Sequence, residues 1–294
     1  MTAPLLIAMP GNQPMAVALA QTLDGDLGQV EVRTFPDGET YLRLLSDVSG
    51  RRVIIVSTLD RPNDKMLPLI FAAATARELG AINVGLVAPY LAYMRQDRRF
   101  RPGEAVTSQQ VAHLLSNTLD WVVTVDPHLH RYSSLNDIYR IPTRVVHAAP
   151  LISQWVRRYV ANPFIIGPDS ESEQWVSAVA RDAEAPYTVL QKVRRGDRDV
   201  EISIKDLTSF DGRTPVLVDD IISSGRTMIG AVEIILARAA VVPVCIAVHG
   251  LFADKSDRLL AKAGARVVTS NSVSHETNGL DVSTLLTKAV SELA

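Results

Sequence analysis

Residues 216–227, Val-Leu-Val-Asp-Asp-Ile-Ile-Ser-Ser-Gly-Arg-Thr, constrain this chain more than any other stretch. Val216, Leu217 and Val218 follow Pro215 as a short apolar run, the pattern of a buried strand. Two adjacent carboxylates and a Ser/Gly loop come next. Met228, Val232, Ile235, Leu236 and Ala239 then recur at helical spacing. The order is strand, acidic pair, small-residue loop, helix, and a chain containing it is steered toward an α/β fold.

Such a loop has a chemical use. Backbone N–H groups that open a helix lack partners within it, and the helix dipole adds positive potential there. Ser223, Ser224 and Thr227 add hydroxyl donors, and Gly225 lets the backbone approach a ligand closely. A phosphate monoester suits these donors, and Asp219 and Asp220 suit the vicinal hydroxyls of a sugar. Together they read as a cradle for ribose 5-phosphate. A lone strand-end carboxylate and a Ser-Gly turn also occur without any ligand, so the weight rests on the strand–loop–helix context of the whole block.

The block resembles the phosphoribosyl-pyrophosphate motif shared by type I phosphoribosyltransferases and ribose-phosphate pyrophosphokinases. By itself it does not choose between them.

The rest of the chain bounds the choice. Its 294 residues suit one large domain or two of about 150 residues. Thirty basic and 32 acidic residues balance, so no nucleic-acid or membrane partner is expected. The single cysteine, Cys245, lies in an apolar run; it forms no intramolecular disulfide and reads as a core thiol in a reducing compartment. The first ten residues lack the basic segment of a signal peptide, and no run reaches about 18 apolar residues. The expectation is a soluble, cytoplasmic protein.

Apolar strands are expected at residues 5–9, 30–34, 53–57, 84–88 and 121–125, and again at 164–166, 187–191, 244–248 and 267–269. Helical patterns lie between them, one carrying Pro68 in its first turn and one opening on a Thr107/Gln110 capping box. Ser170 and Glu173 read as a second capping box. The strand–helix–strand unit at 53–88 echoes the one at 216–248. This gives an α/β fold of two similar phosphoribosyltransferase-type domains, residues 1–143 and 144–294, each a mainly parallel sheet flanked by helices. The site is expected in the crevice where they meet.

Four segments outside the cradle carry chemistry. Phe35-Pro36-Asp37-Gly38-Glu39 contains an Asp-Gly turn, and a plain hairpin accounts for it equally well. Residues 89–103 hold four arginines and two tyrosines, an anion-binding patch or a solvated basic loop. Asp126-Pro127-His128 ends a strand, where ligands collect in open α/β sheets. Residues 192–201 are highly charged and read as an exposed loop or hairpin.

These segments extend the resemblance across both halves and favour the pyrophosphokinases. Phosphoribosyltransferases have only the second type of domain and leave the first 140 or so residues unexplained. Phe35–Glu39 resembles the family's ATP-binding loop, Tyr93-Met94-Arg95-Gln96-Asp97-Arg98 its second ATP segment, and Asp126-Pro127-His128 its metal-bearing strand end.

The resemblance implies roles. Phe35 would stack on adenine while Asp37 and Glu39 grip it, and Arg95 and Gln96 would hold ATP. His128 and Asp169 would bind Mg2+. Lys192 and Arg194 would act as catalytic cations. Asp219 and Asp220 would take the ribose hydroxyls, and Ser223, Ser224, Gly225, Arg226 and Thr227 the 5-phosphate. In the family the Phe35 loop serves a neighbouring subunit, which implies self-association, at least as a dimer and up to a hexamer. Ser223 and Arg226 replace an acidic residue and a second glycine of the best-known bacterial and animal enzymes, and Ser170-Glu171-Ser172 replaces their glycines. The chain therefore resembles a divergent branch close to the archaeal enzymes.

Overall fold

The computed structural model describes residues 2–168, 172–194, 200–203, 212–237 and 241–293. The chain divides into two compact units, Met1–His147 with Val282–Ala294, and Ala148–Asp281.

The first unit runs β1 (Leu5–Ala8), α1 (Gln13–Leu23), β2 (Asp26–Gly28), β3 (Val30–Thr34), β4 (Thr40–Leu44), β5 (Arg52–Val56), α2 (Pro62–Glu78), β6 (Asn83–Ala88), α3 (Thr107–Ser116), β7 (Trp121–Val125) and β8 (Thr143–Val146). Its six-stranded sheet has the order β2-β1-β5-β6-β7-β8. Every pairing in it is parallel. Central strands of such a sheet are covered on both faces, so they read as continuous apolar runs; β7 is buried at all five residues. Strands β3 and β4 form a separate antiparallel hairpin.

The second unit runs α4 (Ala149–Tyr159), β9 (Pro163–Gly167), α5 (Glu173–Asp182), β10 (Tyr187–Val189), β11 (Gln191–Arg194), β12 (Val200–Ser203), β13 (Thr214–Ile222), α6 (Arg226–Leu236), β14 (Val244–Gly250), α7 (Ser256–Lys262), β15 (Arg266–Ser270) and β16 (Asn278–Leu280). Its sheet, β10-β9-β13-β14-β15-β16, is again wholly parallel. Strands β11 and β12 form an antiparallel hairpin. The two sheets share one pattern of connections, so β5–α2–β6 and β13–α6–β14 hold equivalent places. The expected echo between the halves is real.

In the second unit, Met228, Val232 and Ile235 of α6 pack with Leu217, Ile222 and Cys245. Cys245 is fully buried, and burial pushes its thiol up to about 12. It is an inert core residue, as expected. Among the described residues, no helix is long and apolar enough to cross a membrane.

Several expectations are corrected. The last helix, α8 (Ser283–Ser291), expected within a second domain ending at residue 294, belongs to the first unit. Its buried Leu286, Ala289 and Val290 face α1, β7 and β8. An amphipathic pattern says that a face is buried, not which surface receives it. Strands β2, β8 and β16 went unforeseen, because three or four residues at sheet edges carry little periodicity. Pro68 lies inside α2, which starts six residues earlier at Pro62. Thr107 is the first residue of α3 and makes no side-chain cap. Ser170 lies outside the described residues.

Candidate functional site

Strand β13 does not stop at Val218. It continues through Asp219 and Asp220 to Ile222, with Asp219 opposite Ala247, Ile221 opposite His249 and Ile222 opposite Gly250 on β14. The acidic pair therefore sits on a hydrogen-bonded strand and not in a loop, which fixes its backbone. Asp219 Oδ1 accepts from the Asp220 backbone N–H at 2.9 Å.

Only Ser223, Ser224 and Gly225 separate this strand from α6. Gly225 takes a left-handed conformation, φ +65°, directly before the first turn. A side chain there would be strained, and its Cβ would also crowd the Ser256 Cβ at 3.1 Å. The loop is braced from two sides. Ser256 Oγ donates to the Ser223 carbonyl at 2.6 Å. The N–H groups of Leu251 and Phe252 donate to the Ile222 carbonyl at 2.9 and 3.1 Å.

Asp219, Ile221, Ile222, Ser223, Ser224, Gly225, Arg226, Thr227 and Met228 line one pocket open to solvent. The first turn of α6 contains no acidic residue, so its free N–H groups and positive dipole end face no carboxylate of that turn. Arg226 is exposed at the pocket wall and adds a full positive charge. Hydroxyls, turn amides and a guanidinium thus converge beside Asp219, a donor set matched to a phosphate with a polyhydroxyl group next to it. The structure brings together six of the seven residues expected for the sugar phosphate; Asp220 is not among those lining the pocket.

The first unit carries the other expected groups on three elements. Phe35, Asp37 and Glu39 occupy the tip of the β3–β4 hairpin, closed by Phe35 N–H to the Glu39 carbonyl at 2.8 Å and Gly38 N–H to the Phe35 carbonyl at 2.9 Å. Asp37 accepts from the Glu39 N–H at 3.2 Å. Phe35 is 38% exposed, with the Arg33 guanidinium 4.7 Å from its ring centroid. Tyr41 meets the same ring edge-on at 6.1 Å. The tip therefore presents an aromatic surface beside two acceptors.

Arg95 and Gln96 lie in the segment after β6, with Arg95 exposed. That segment is held by residues far from it in the chain. Tyr132 Oη donates to the Asp97 carbonyl at 3.1 Å, and Arg131 Nε lies 3.4 Å from the Asp97 carboxylate.

At the end of β7, Asp126 adopts a positive φ of 31°. Its N–H donates to the Val146 carbonyl at 3.0 Å, and its carboxylate meets His147 Nδ1 at 2.8 Å. That hydrogen bond raises the His147 pKa above its ordinary value, against the lowering effect of burial. Two residues on, the His128 and His130 rings stand edge-to-face with centroids 3.9 Å apart. Asp169, the other expected metal ligand, lies outside the described residues. The backbones of Lys192 and Arg194 lie on β11 of the hairpin, and their side chains also fall outside the description.

Residues 5–118 match the N-terminal domain of ribose phosphate pyrophosphokinase, and residues 134–285 match a phosphoribosyl transferase domain. The ribose-phosphate pyrophosphokinase of Methanothermobacter thermautotrophicus is 32% identical over 284 residues, covering 96% of this chain and 98% of that protein. That of Methanopyrus kandleri is 34% identical over 298 residues, covering 99% of each. The chain belongs to the ribose-phosphate pyrophosphokinase family. The phosphoribosylpyrophosphate synthetase of Mycobacterium smegmatis shares the fold across 99% of both chains, with a TM-score of 0.85 at 22% identity. Both of these pyrophosphokinases are archaeal.

Proposed function

We propose that this chain transfers the diphosphoryl group of ATP to the 1-hydroxyl of ribose 5-phosphate, giving 5-phosphoribosyl 1-pyrophosphate and AMP. The observation that carries this reading is the pocket of Asp219 and Ser223–Thr227 at the start of α6. It is supported by a family match that extends through the first unit, which a phosphoribosyltransferase would not need.

Ser223, Ser224, Gly225, Arg226 and Thr227 receive the 5-phosphate, and Asp219 and Asp220 the ribose hydroxyls. Phe35 supplies stacking surface for adenine, Asp37 and Glu39 accept its hydrogen bonds, and Arg95 and Gln96 hold the nucleotide. A hairpin tip that serves a neighbouring subunit makes the active form at least a dimer. Lys192 and Arg194, on the β11–β12 hairpin, steady the charge that grows on the transferred group.

The anomeric oxygen attacks the β-phosphorus in line. A new P–O bond forms, the bond between the β-phosphorus and the oxygen bridging to the α-phosphorus breaks, and AMP leaves. Little covalent work falls to the protein, so positioning and positive charge supply most of the rate. The first-unit donors suit a divalent cation: an imidazole at His128 stands two residues from the Asp126 carboxylate, itself held by His147. His128 and Asp169 would hold Mg2+, which neutralises phosphate charge when bound. The assignment makes this a cytoplasmic enzyme of nucleotide biosynthesis.

A coupled assay for AMP tests the proposal. AMP should appear only when ATP and ribose 5-phosphate are both present. A phosphoribosyltransferase would release none, and neither would a regulatory relative that only binds nucleotide.

A further inference from the structure

A second group of metal-ligating side chains stands in the second unit, apart from the residues assigned to substrates. Asp257, in the first turn of α7, faces His275 and Glu276 in the connection between β15 and β16. One ligand atom from each of the three lies within 4.8 Å of the others. Asp257 Oδ2 and His275 Nε2 are 3.7 Å apart. That is too long for a hydrogen bond. Two donors on one ion at about 2.0–2.2 Å stand roughly 3–3.5 Å apart, so the pair closes on a cation with a shift of a few tenths of an ångström. The exposed Glu276 supplies the reach for the third contact.

The surroundings fix the imidazole. The Phe252 ring packs against it with centroids 4.4 Å apart. Asn278 Oδ1 accepts from the His275 backbone N–H at 2.9 Å, and Asn278 Nδ2 donates to the Ser270 and Val273 carbonyls at 2.7 and 3.1 Å. Thr277 Oγ1 lies 3.0 Å from His275 Nδ1 and 2.8 Å from Thr269 Oγ1. Ligation through Nε2 places the ring proton on Nδ1, where Thr277 Oγ1 accepts it. The Thr277 backbone N–H, 3.3 Å from Nδ1, gives up its contact in that tautomer. A histidine whose far nitrogen is held by a hydroxyl, with carboxylates facing the near one, is the arrangement metal-ligating histidines adopt.

We propose that Asp257, His275 and Glu276 bind a divalent transition-metal ion, Zn2+, Mn2+ or Co2+, with water completing the shell. One imidazole with two carboxylates favours these ions over Mg2+, which prefers an all-oxygen shell. The ion would clamp α7 to the β15–β16 connection. Asp257 directly follows Ser256, whose hydroxyl holds the Ser223 carbonyl, so the clamp reaches the support of the phosphate loop.

The test uses the full chain stripped with a chelator and dialysed against Zn2+ or Co2+. The intact protein should hold one more equivalent than H275Q or D257N, and Thr277→Val should weaken that equivalent by about 10–100-fold. All three substitutions are nearly isosteric, and matching far-UV circular dichroism of the metal-free proteins confirms their folding. A zinc-edge anomalous peak among the three side chains, absent in H275Q crystals, would support the site directly. Equal metal content in the intact chain, H275Q and D257N would overturn it, as would a peak confined to His128.

Discussion

Ser256 Oγ donates to the Ser223 backbone carbonyl across 2.6 Å, joining two residues 33 positions apart. Ser256 is fully buried at the start of α7, and its Cβ also limits the space beside Gly225. The loop that opens α6 is therefore positioned from outside its own motif. A hydrogen bond of this kind is worth about 0.5–1.5 kcal/mol, roughly a twofold to tenfold change in an equilibrium constant. Ser256→Ala should weaken ribose 5-phosphate by that factor in a calorimetric titration while leaving ATP affinity unchanged. Unchanged affinity for the sugar phosphate would mean that the loop holds its shape unaided.

Asp219 tests the sugar half of the proposed site. Asp219 is among the residues lining the pocket, and its carboxylate accepts the Asp220 N–H. Asparagine keeps one oxygen for the backbone contact but removes the charge that strengthens hydrogen bonds from sugar hydroxyls. Asp219→Asn should weaken ribose 5-phosphate by about tenfold or more, since hydrogen bonds to charged groups are worth about 1.5–3 kcal/mol. Titration of inorganic phosphate separates the two halves of the pocket: its affinity should hold or rise in the variant. Native affinity for ribose 5-phosphate would remove Asp219 from sugar recognition.

Gly85 tests the packing of the first sheet. A Cβ at this position would lie 1.9 Å from Trp121 Cε2. The indole has no room to yield, because it is buried and its Nε1 donates to Asn83 Oδ1 at 2.8 Å. Overpacking of this kind costs about 1–3 kcal/mol, and each kcal/mol lowers Tm by roughly 2–4 °C in units of this size. Gly85→Ala should lower the first unit's melting temperature by several degrees in calorimetry. An unchanged Tm would mean that β6 and β7 can separate without penalty.

The pair of His147 and Asp126 gives a pH dependence of known sign. The hydrogen bond raises the folded-state pKa of His147 above the unfolded value of about 6.5. Its stabilising contribution is therefore complete below that unfolded value and fades as pH rises through the folded pKa. NMR titration of the His147 ring should give a midpoint above about 6.5 that falls in Asp126→Asn. His147→Gln should lose stability relative to the intact chain at acid pH, and the gap should shrink toward pH 8. A midpoint at or below the ordinary value would contradict the pairing.

How far the sequence led can be judged residue by residue. Strands buried on both faces, such as β7, announce themselves as unbroken apolar runs, and the repeat of β5–α2–β6 in β13–α6–β14 exposed two related sheets. The grouping of Ser223, Ser224, Gly225, Arg226 and Thr227 at one pocket was legible because they are consecutive in the chain. The supporting contacts were not: Ser256, the Asp97 clamp of Arg131 and Tyr132, and His147 act across 21 to 35 positions with no local signature. The acidic pair was placed one element too late for a related reason. Asp is uncommon in strands, and only pairing with β14 carries β13 through Asp219 and Asp220. The attachment of α8 to the first unit is equally nonlocal.

The identity of the transferred group decides the proposed activity. Phosphorus NMR of the purified protein with ATP, ribose 5-phosphate and Mg2+ reads it directly. The expected products are AMP and a sugar that retains its 5-phosphate monoester and carries a diphosphate on carbon 1. Formation of ADP with a ribose bisphosphate, or no loss of ATP beyond that without ribose 5-phosphate, would contradict it.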